Sequence, residues 1–422
     1  MNFKSLFLAA LLIGSQAAAF VNAAENWPGW RGPRGDGTVL DAPNLPVAFS
    51  VGEDTVWKTE IPGIGHASPV IWGDRIFLVS ADATTLARSL LCLDRLSGKI
   101  LWSKVVLEAP LEEIHRLNSH ASSTPVTDGE TVYVSFLDEA GMFVAAYDFE
   151  GKELWRAKPG TFSSKHGYCS CPILWNGKVI INGDHDGDAY LVALDQKTGG
   201  TIWKTDRPNK TRSYCTPIIR EIDGRVQMLL SGSLSVTSYH PDTGELLWII
   251  DGPTEQFVAS LVYHEQHKLL FLTCGFPQKH ILAIRPDGSG NVTKTHIAWR
   301  DTVGAAYVPS PIVIGDYFIV VADNGVTSCF IAATGERLWR ERLPGGHSAS
   351  ILTANGLAYF ISDEGIVSVV KPGPTFDVIA QSEMGEKVSA SPAVYDNQLF
   401  IRGEKHLFRL ARPQEAANVV PR

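Results

Sequence analysis

The stretch that decides the fold is LCLDRLSGKILW, residues 91–102. It joins an apolar strand, a polar turn that contains glycine, and a second short strand that ends at tryptophan. The same phrase returns as AYDFEGKELW at 146–155, ALDQKTGGTIW at 193–203, YHPDTGELLW at 239–248 and IAATGERLW at 331–339, with a stretched copy from Ala283 to Trp299. These tryptophans are 53, 48, 45, 51 and 40 residues apart. A repeat of this length predicts a propeller or a solenoid.

Each unit also begins with a second signature, seen in SPVIWGDRIFLV at 68–79 and TPVTDGETVYV at 124–134. It recurs at four further positions, each followed directly by proline: Cys171, Thr216, Ser310 and Ser391. The pattern predicts a short strand, a tight turn and an alternating second strand. Together with the two strands that end at tryptophan, it makes a four-stranded antiparallel unit, which is one propeller blade. No stretch has the 3.6-residue period of a helix, so the fold class is all-β.

The repeat predicts eight blades. Seven begin near His66, Ala121, Gly167, Ser213, Phe257, Tyr307 and His347. The chain after Ser389 supplies only three more strands, and Thr55–Ile61 is an outer strand with no blade before it. Pairing this N-terminal strand with the C-terminal blade closes the ring and removes two exposed sheet edges. A seven-bladed ring with a loose tail is the alternative.

Composition excludes several functional classes. The 422 residues are 45 % apolar and 19 % charged, which is enough to build a large core and rules out a disordered chain. The formal net charge is −8, so nothing in the composition favours nucleic acid or an anionic membrane surface as a partner. No internal apolar stretch is long enough to span a membrane. We expect a monomer.

The first residues resemble an export signal. Lys4 precedes a short apolar run, and small residues lead to Ala23, which is a signal-peptide pattern. We therefore expect a signal peptide at 1–23, a leader segment that packs on the propeller at 24–54, one propeller domain at 55–412 and a tail at 413–422. The first cysteine is Cys92, so no lipid-anchor cysteine is available, and the mature protein is expected to be periplasmic or secreted.

Three of the six cysteines fall close to one another in the predicted blades. Cys169, Cys171 and Cys215 lie in segments that lead into neighbouring inner strands, so Cys169 or Cys171 is expected near Cys215. The compartment permits disulfides. The other cysteines lie in apolar runs and are expected to be buried free thiols.

The repeat phrase resembles the tryptophan-docking repeat of quinoprotein (PQQ) propellers. The opening WPGWRGPRGDG at 27–37 and the segment HASSTP at 120–125 are similar to those of secreted bacterial PQQ-like-repeat proteins. The resemblance covers residues 27–412 and implies an architecture but no defined reaction. The outer-membrane assembly lipoprotein is similar in fold. Quinoprotein alcohol dehydrogenases, which resemble the chain in their blades, also use an adjacent Cys-Cys pair and a Ca²⁺ held by Glu, Asn and Asp.

Residues just before the Ser/Thr-Pro signatures are the candidate site, because in a propeller these loops meet around the central axis on one face. The ligand-binding candidates are His66, Asn118, His120, Lys165, His166, Tyr168, Arg212, Tyr214, Tyr307, His347 and Lys387. Loops expected on the same face add Asp82, Asp138, Asp184, Asp186, Asp323, Asp363 and Glu404. Imidazoles, phenols and carboxylates at a channel mouth suit a polar ligand. The alternative is that they satisfy one another and the loop backbone.

Known catalytic motifs give little support for chemistry at this mouth. No P-loop, G-x-S-x-G or H-E-x-x-H is present, no CxxC supports zinc, and the spacing of the candidates matches no metal site. DHDGD at 184–188 lacks the later ligands of a calcium loop and predicts a hairpin turn. We therefore expect an exported, non-catalytic propeller that binds a protein, peptide or saccharide on its loop face. The alternative is a PQQ- or metal-dependent oxidoreductase, with PQQ and Ca²⁺ as its cofactors.

Overall fold

The computed structural model describes residues 24–138, 141–163 and 165–412. The predicted signal peptide and the predicted tail lie outside these residues. Within them the chain is all-β, and eight antiparallel sheets form the blades of a propeller. No helix in the described ranges is long and apolar enough to cross a membrane.

Each blade has four strands that run from the central axis outward. Blade 1 comprises Val70–Trp72, Arg75–Asp82, Ala87–Asp94 and Ile100–Glu108. Blade 2 comprises Val126–Thr127, Thr131–Asp138, Gly141–Asp148 and Glu153–Ala157. Blade 3 comprises Ile173–Trp175, Lys178–Gly183, Tyr190–Asp195 and Thr201–Asp206. Blade 4 comprises Ile218–Ile222, Arg225–Gly232, Ser235–Tyr239 and Leu246–Asp251.

The second half of the ring repeats this pattern. Blade 5 comprises Val262–His264, Leu269–Cys274, His280–Ile284 and Ile297–Asp301. Blade 6 comprises Ile312–Ile314, Tyr317–Val321, Val326–Ile331 and Arg337–Arg342. Blade 7 comprises Leu352–Ala354, Leu357–Ile361, Ile366–Lys371 and Asp377–Glu383. Blade 8 comprises Ala393–Tyr395, Gln398–Arg402 and His406–Leu410, and its outer strand is the N-terminal Thr55–Glu60, paired antiparallel with His406–Leu410.

Tryptophan at the end of each repeat phrase joins one blade to the next. The indole Nε1 of Trp155 donates to the carbonyl of Gln196 in blade 3 at 2.8 Å. Gly199 lies against the same ring, has a φ of +71°, and would place a Cβ 2.5 Å from it. The same donation joins Trp57 to Arg95, Trp102 to Phe149, Trp203 to Pro241, Trp299 to Ala332 and Trp339 to Gly373. The glycine and the tryptophan of the phrase therefore belong to one contact between neighbouring blades.

Blade 4 departs from this rule. Trp248 donates to Gln227 of its own blade at 2.8 Å. The stretched phrase of blade 5 supplies an extra strand, Gly290–Asn291, which pairs in parallel with the outer strand of blade 4 and lies opposite Trp248. This extra strand occupies the position beside Trp248 that the turn of the next repeat phrase occupies beside the other tryptophans.

A belt of hydrogen bonds runs around the axis at the start of the inner strands. Its members are Ser68, Thr124, Cys171, Thr216, Ser260, Ser310, Ser350 and Ser391, one from each blade. The backbone N–H of each member donates to the side chain of the next, over 2.9–3.1 Å to oxygen and 3.3 Å to the sulfur of Cys171. Within the described ranges the eighth link, from Ser391 to Ser68, is not formed, and Ser68 Oγ is buried without a partner.

The leader segment, residues 24–54, lies across the face of the ring opposite the loop face. Trp27 forms a bridge with Ile71 of blade 1. Thr38–Val39 pairs in parallel with the inner strand of blade 7, and Phe49 N–H donates to Ser382 Oγ of that blade at 2.9 Å. The leader thus connects the first blades to the last ones and closes this end of the axis. We call this side of the ring the leader face.

Candidate functional site

A cavity of about 120 Å³ follows the axis inward from the loop face. Belt residues and the side chains two positions before them form its wall. Its lining residues are Trp30, His66, Leu117, Asn118, Ser122, Thr124, Cys169, Cys171, Tyr214, Thr216, Val258, Val308, Ser310, Ser348, Ser350, Ser389 and Ser391. Trp30 belongs to the leader, so this segment forms the floor. The channel is therefore a blind pocket that opens on the loop face.

Extended backbone explains which candidates reach the cavity. Side chains alternate between two faces, so residues two positions apart point the same way. His66 and Tyr214 stand two positions before a belt residue and line the cavity. Tyr168 and His347 stand three positions before one and are buried inside the blades.

Four candidates come together on the side of blades 3 to 6. His166 Nδ1 lies 3.1 Å from the hydroxyl of Tyr214. Arg212 pairs with Asp186 at 2.6 Å. The Gln256 amide, oriented to satisfy both neighbours, accepts from Arg212 at 2.6 Å and donates to Tyr307 at 2.9 Å. Asp186, Arg212, Gln256 and Tyr307 therefore form one chain of polar contacts, and His166 and Tyr214 form a separate pair close enough for Arg212 to act on the pKa of His166.

Two other candidates lie at the junction of blades 8 and 1. His66 and Lys387 line a side pocket of about 70 Å³ together with Arg402 and Glu404. Arg402 is 2 % exposed, and its Nη1 donates to the carbonyl of Val79 at 2.5 Å. The polar residues at the mouth therefore lie on two sides, one at blades 3 to 6 and the other at the junction of blades 8 and 1.

The remaining candidates have other roles in the structure. Asn118 lines the cavity, and its amide donates to the carbonyl of His166 at 2.8 Å. His120 Nε2 lies 2.9 Å from the carbonyl of Glu112, and Lys165 is exposed. Tyr168 contacts Ser135 inside the blade. His120, Tyr168, His347 and Lys165 do not line the cavity.

The acidic loop at 184–188 is a hairpin turn, as the sequence predicts, and its carboxylates form salt bridges with basic side chains of the same chain. Asp184 pairs with Arg207 at 2.7 Å, and both side chains are fully buried. Asp188 pairs with Lys210 at 2.5 Å on the surface. With Asp186 bound to Arg212, each of the three carboxylates has its own partner. No group of three potential metal ligands occurs within the described ranges.

Burial sets the charge of the mouth histidines. Burial, and then the charge of Arg402, lower the pKa of His66 to about 4. Burial, Arg212 and His115 lower the pKa of His166. Both imidazoles are therefore neutral near pH 7, and each can donate one hydrogen bond and accept another.

The cysteines form no disulfide in the described chain. Burial raises the pKa of Cys171 to about 11 and that of Cys215 to about 12, so both are protonated thiols at neutral pH. The pKa of Cys169 is also raised, by burial first and then by Cys171 and Cys215, and its sulfur lies 3.9 Å from the carbonyl oxygen of Tyr214, the residue before Cys215. Reactive cysteines need a lowered pKa. The surroundings of Cys169, Cys171 and Cys215 are therefore those of unreactive, structural thiols.

Sequence comparison places the chain in a family. Residues 39–136 and 87–262, together more than half of the chain, match the sequence model of a family described as outer membrane protein assembly factor BamB. The chain belongs to this family. BamB of Burkholderia pseudomallei is 23 % identical over 370 residues, which is 82 % of this chain and 84 % of that protein.

Other relatives are dehydrogenases. Quinohemoprotein alcohol dehydrogenase ADH IIB of Pseudomonas putida is 31 % identical over 138 residues, 30 % of this chain. The chain spans only 19 % of that enzyme, 29 % of the polyvinylalcohol dehydrogenase of Sphingopyxis and 55 % of BamB from Nitrosomonas eutropha.

Solved structures share the fold. BamB from Moraxella catarrhalis has a TM-score of 0.59 at 13 % identity, covering 85 % of this chain and 97 % of that one. A europium-containing methanol dehydrogenase has a TM-score of 0.56 at 11 % identity, covering 91 % of this chain and 98 % of that one. At these identities the likeness shows the propeller and no more.

The residues at the mouth do not fit the quinone and calcium that the dehydrogenase resemblance implies. Cys169 and Cys171 are separated by one residue, so the adjacent pair is missing. The nearby aspartates are held by Arg207, Arg212 and Lys210. An engineered cavity of about 150 Å³ holds a single benzene ring, so the axial cavity, at about 120 Å³, is too small for a three-ring quinone.

Several features of this site were not predicted from the sequence. The leader floor, the belt, Gln256 and Arg402 all reach the site from segments that the candidate list does not include. The belt had a signal, because a Ser, Thr or Cys recurs at the start of every inner strand. Arg402 had none, since its role depends on the contact between the last blade and the first.

Proposed function

We propose that this member of the BamB family is an exported, non-catalytic binding propeller of the cell envelope. In this proposal residues 1–23 are the export signal, and the loop face holds a segment of a partner protein. Family membership and the match along most of Burkholderia BamB support an envelope role. Fold alone does not define a function, so the argument depends on the loop face.

The observation that carries the proposal is a set of exposed apolar side chains around the channel mouth. Ile64 is 57 % exposed, Phe276 50 % and Leu117 49 %. The full set on this face is Ile64, Leu86, Leu117, Leu234, Phe276 and Val303. On the leader face the exposed large apolar residues are Leu40 and Leu96. Large apolar side chains exposed on one face of a protein mark an interaction surface.

A protein partner fits this face better than a saccharide does. The exposed set has one aromatic ring, Phe276, and five aliphatic side chains, which pack well against apolar side chains of a peptide. The polar network of Arg212, Gln256 and Tyr307 supplies the fixed donors and acceptors that orient such a segment.

Site-specific photocrosslinking in the native envelope tests this proposal. A photoreactive amino acid replaces Leu117 or Phe276 on the loop face, and Leu96, which is 55 % exposed on the leader face, is the matched control. We expect the same envelope protein to be captured from both loop-face positions and not from Leu96. Equal capture from all three positions, or capture from Leu96 alone, contradicts the proposal.

The dehydrogenase relatives favour a second candidate, a PQQ- or metal-dependent oxidoreductase. The purified protein is titrated with PQQ and Ca²⁺, and its spectrum and its reduction of a dye by alcohols are recorded. The binding proposal predicts neither a shifted quinone spectrum nor dye reduction. Tight quinone binding with turnover replaces it with the oxidoreductase.

A further inference from the structure

The belt leaves a set of hydroxyl protons directed at the axis. Ser310, Ser350 and Ser391 line the cavity, and each accepts a backbone N–H through Oγ, over 2.9–3.1 Å. A serine hydroxyl that accepts still has one proton to donate. No protein acceptor for these three protons lies within hydrogen-bond distance in the ranges that the structure describes. The three serines therefore offer donors and no free acceptor.

Ser68 adds a fourth donor where the belt is interrupted. It is 1 % exposed, and its Oγ has no hydrogen-bond partner. A buried hydroxyl without a hydrogen-bond partner is destabilising, because it has lost its bonds to water. The serine donors of blades 6, 7 and 8, which line the cavity, and that of Ser68 in blade 1, which does not, thus belong to consecutive blades, and we call them the serine arc.

Blades 2 to 4 differ, because the belt member of blade 3, Cys171, carries a sulfur where the other members carry a hydroxyl. The side chains of Thr124 and Thr216 both hydrogen-bond to the thiol of Cys171, which lowers its pKa against the larger effect of burial. Their hydroxyls are therefore directed at Cys171. Among the belt residues that line the cavity in the described ranges, free donors therefore occur only in the serine arc.

Two buried guanidinium groups lie next to this arc without a carboxylate in salt-bridge contact among the described residues. Arg31 is 2 % exposed, its Nη2 donates to the carbonyl of Pro311 at 2.7 Å, and its Nε and Nη1 are buried without partners. Asp36 is near Arg31 but binds Arg220 at 3.3 Å. Arg402 borders the side pocket next to His66. A buried charge without a counterion is destabilising, because it has lost its hydration.

No aspartate or glutamate lines the axial cavity, although Glu404 borders the neighbouring side pocket. The arc supplies donors, the arginines supply positive charge, and the volume admits only a small group. We infer that the axial channel binds a small oxyanion, such as phosphate, sulfate or a carboxylate group, at the serine arc between Arg31 and Arg402. The oxyanion is either a free ion or the end group of a larger molecule. This inference does not depend on the proposed function.

Isothermal titration calorimetry of the purified protein tests the inference. Phosphate, sulfate and acetate are titrated at constant ionic strength, with chloride as the balancing salt. We expect saturable binding at one site for at least one oxyanion and none for additional chloride. Heats that are the same for every anion, or that never saturate, overturn the inference.

Two variants separate the donor from the belt. Ser350→Ala removes an arc donor together with a belt acceptor, and it should weaken oxyanion binding about fivefold, the worth of one hydrogen bond. Thr216→Ala also removes a belt acceptor, but the proton of Thr216 is directed at Cys171, so this variant should leave the affinity unchanged. Circular dichroism confirms that both variants are folded. Equal affinities for Ser350→Ala and the wild type overturn the assignment, as does equal weakening in both variants.

A peptide with a free C-terminal carboxylate and its amide identify the source of the oxyanion. A free-acid peptide that binds at least tenfold more tightly than acetate, with no binding of the amide, supports the site as a receptor for a chain end. Phosphate or sulfate that binds more tightly than the peptide supports a free ion. Loss of partner crosslinking with oxyanion binding intact refutes the proposed function alone.

Discussion

His347 shows how one residue in this ring makes stability depend on pH. It is 2 % exposed, its backbone N–H donates to the carbonyl of Asp323 at 2.9 Å, and its Nδ1 has no partner. Burial lowers its pKa from 6.5 to about 4, against smaller opposing effects of Glu364 and the Gly345 backbone. The folded protein therefore holds His347 neutral at a pH where the unfolded chain protonates it.

We expect acid to destabilise the fold through this residue. As the pH falls below 6.5 the unfolded chain binds a proton that the folded chain does not, so the free energy of unfolding decreases until about pH 4. His347→Gln removes this contribution and flattens the dependence. Urea unfolding at pH 7, 5.5 and 4.5 measures it. Parallel slopes for the variant and the wild type contradict the prediction.

Cys171 allows a second test at this scale. Its sulfur accepts the backbone N–H of Thr124 at 3.3 Å, in a position where oxygen accepts in the other belt bonds. Cys171→Ser restores a stronger acceptor in a smaller side chain. We expect stability to change by less than about 1 kcal/mol, because one gained hydrogen bond offsets the lost apolar volume. Thermal unfolding checks this, and Cys171→Ala, which removes the acceptor, should be the less stable variant.

The candidate list illustrates what residue-level pattern can and cannot supply. Its residues come from the loops that precede the inner strands, because the Ser/Thr-Pro signature marks the start of each of these strands. It mixed positions from two to six before the belt, so His66 and Tyr214 line the cavity while Tyr168 and His347 lie inside blades. The two-residue period of a strand distinguishes these positions only once the register is known.

At the scale of the element, the repeat phrase is a contact between two blades. Gly199 turns the chain with a positive φ and also lies flat against Trp155 of the preceding blade. Conformation and close approach are separate reasons for glycine at this position. Gly177 has a similar φ of +73°, with no atom within 4 Å of an added Cβ.

Alanine at these two glycines separates the two reasons. Both variants carry the cost of a positive φ, roughly 1–2 kcal/mol. Gly199→Ala must also displace the indole, so we expect it to lose about 1–3 kcal/mol more than Gly177→Ala. Denaturant unfolding of both variants gives the difference. Equal losses would show that packing against Trp155 contributes nothing.

Two short strands that lie outside the repeat phrase could not be predicted from the sequence. The all-β fold and the eight blades follow from periodicity. The parallel pairing of Thr38–Val39 and of Gly290–Asn291 does not, because each is a two-residue strand in a segment rich in glycine and polar residues. Their position is determined by the sheet edge they cover, which is tertiary information.

At the scale of the molecule, the ring depends on one seam. Thr55–Glu60 and His406–Leu410 come from opposite ends of the chain and are held together by hydrogen bonds and packing. In blade 3 the corresponding outer strand, Thr201–Asp206, is joined to its neighbour by a short turn. Lys58 and Lys204 follow the tryptophans of these two strands, and each ammonium lies over an aromatic ring, at 5.0 and 4.0 Å.

Proline at these matched lysines tests the seam. Each substitution removes a backbone N–H and a cation–π contact from an outer strand. Lys204→Pro should fray one strand of blade 3, whereas Lys58→Pro should open the ring, because no turn holds the seam strand in place. Size-exclusion chromatography with light scattering should show a larger radius and association for Lys58→Pro alone. Identical behaviour of both variants contradicts a special role for the seam.

The seam also determines when the protein can finish folding. The ribosome makes Thr55–Glu60 before blades 1 to 7 and His406–Leu410 after them. These seven blades therefore have an open edge until the second strand has been made. Contacts between distant parts of a sequence form slowly, and unpaired edges invite association. The ring therefore cannot close before both strands have been made, and a chaperone that shields the waiting edge would raise the yield of the native ring.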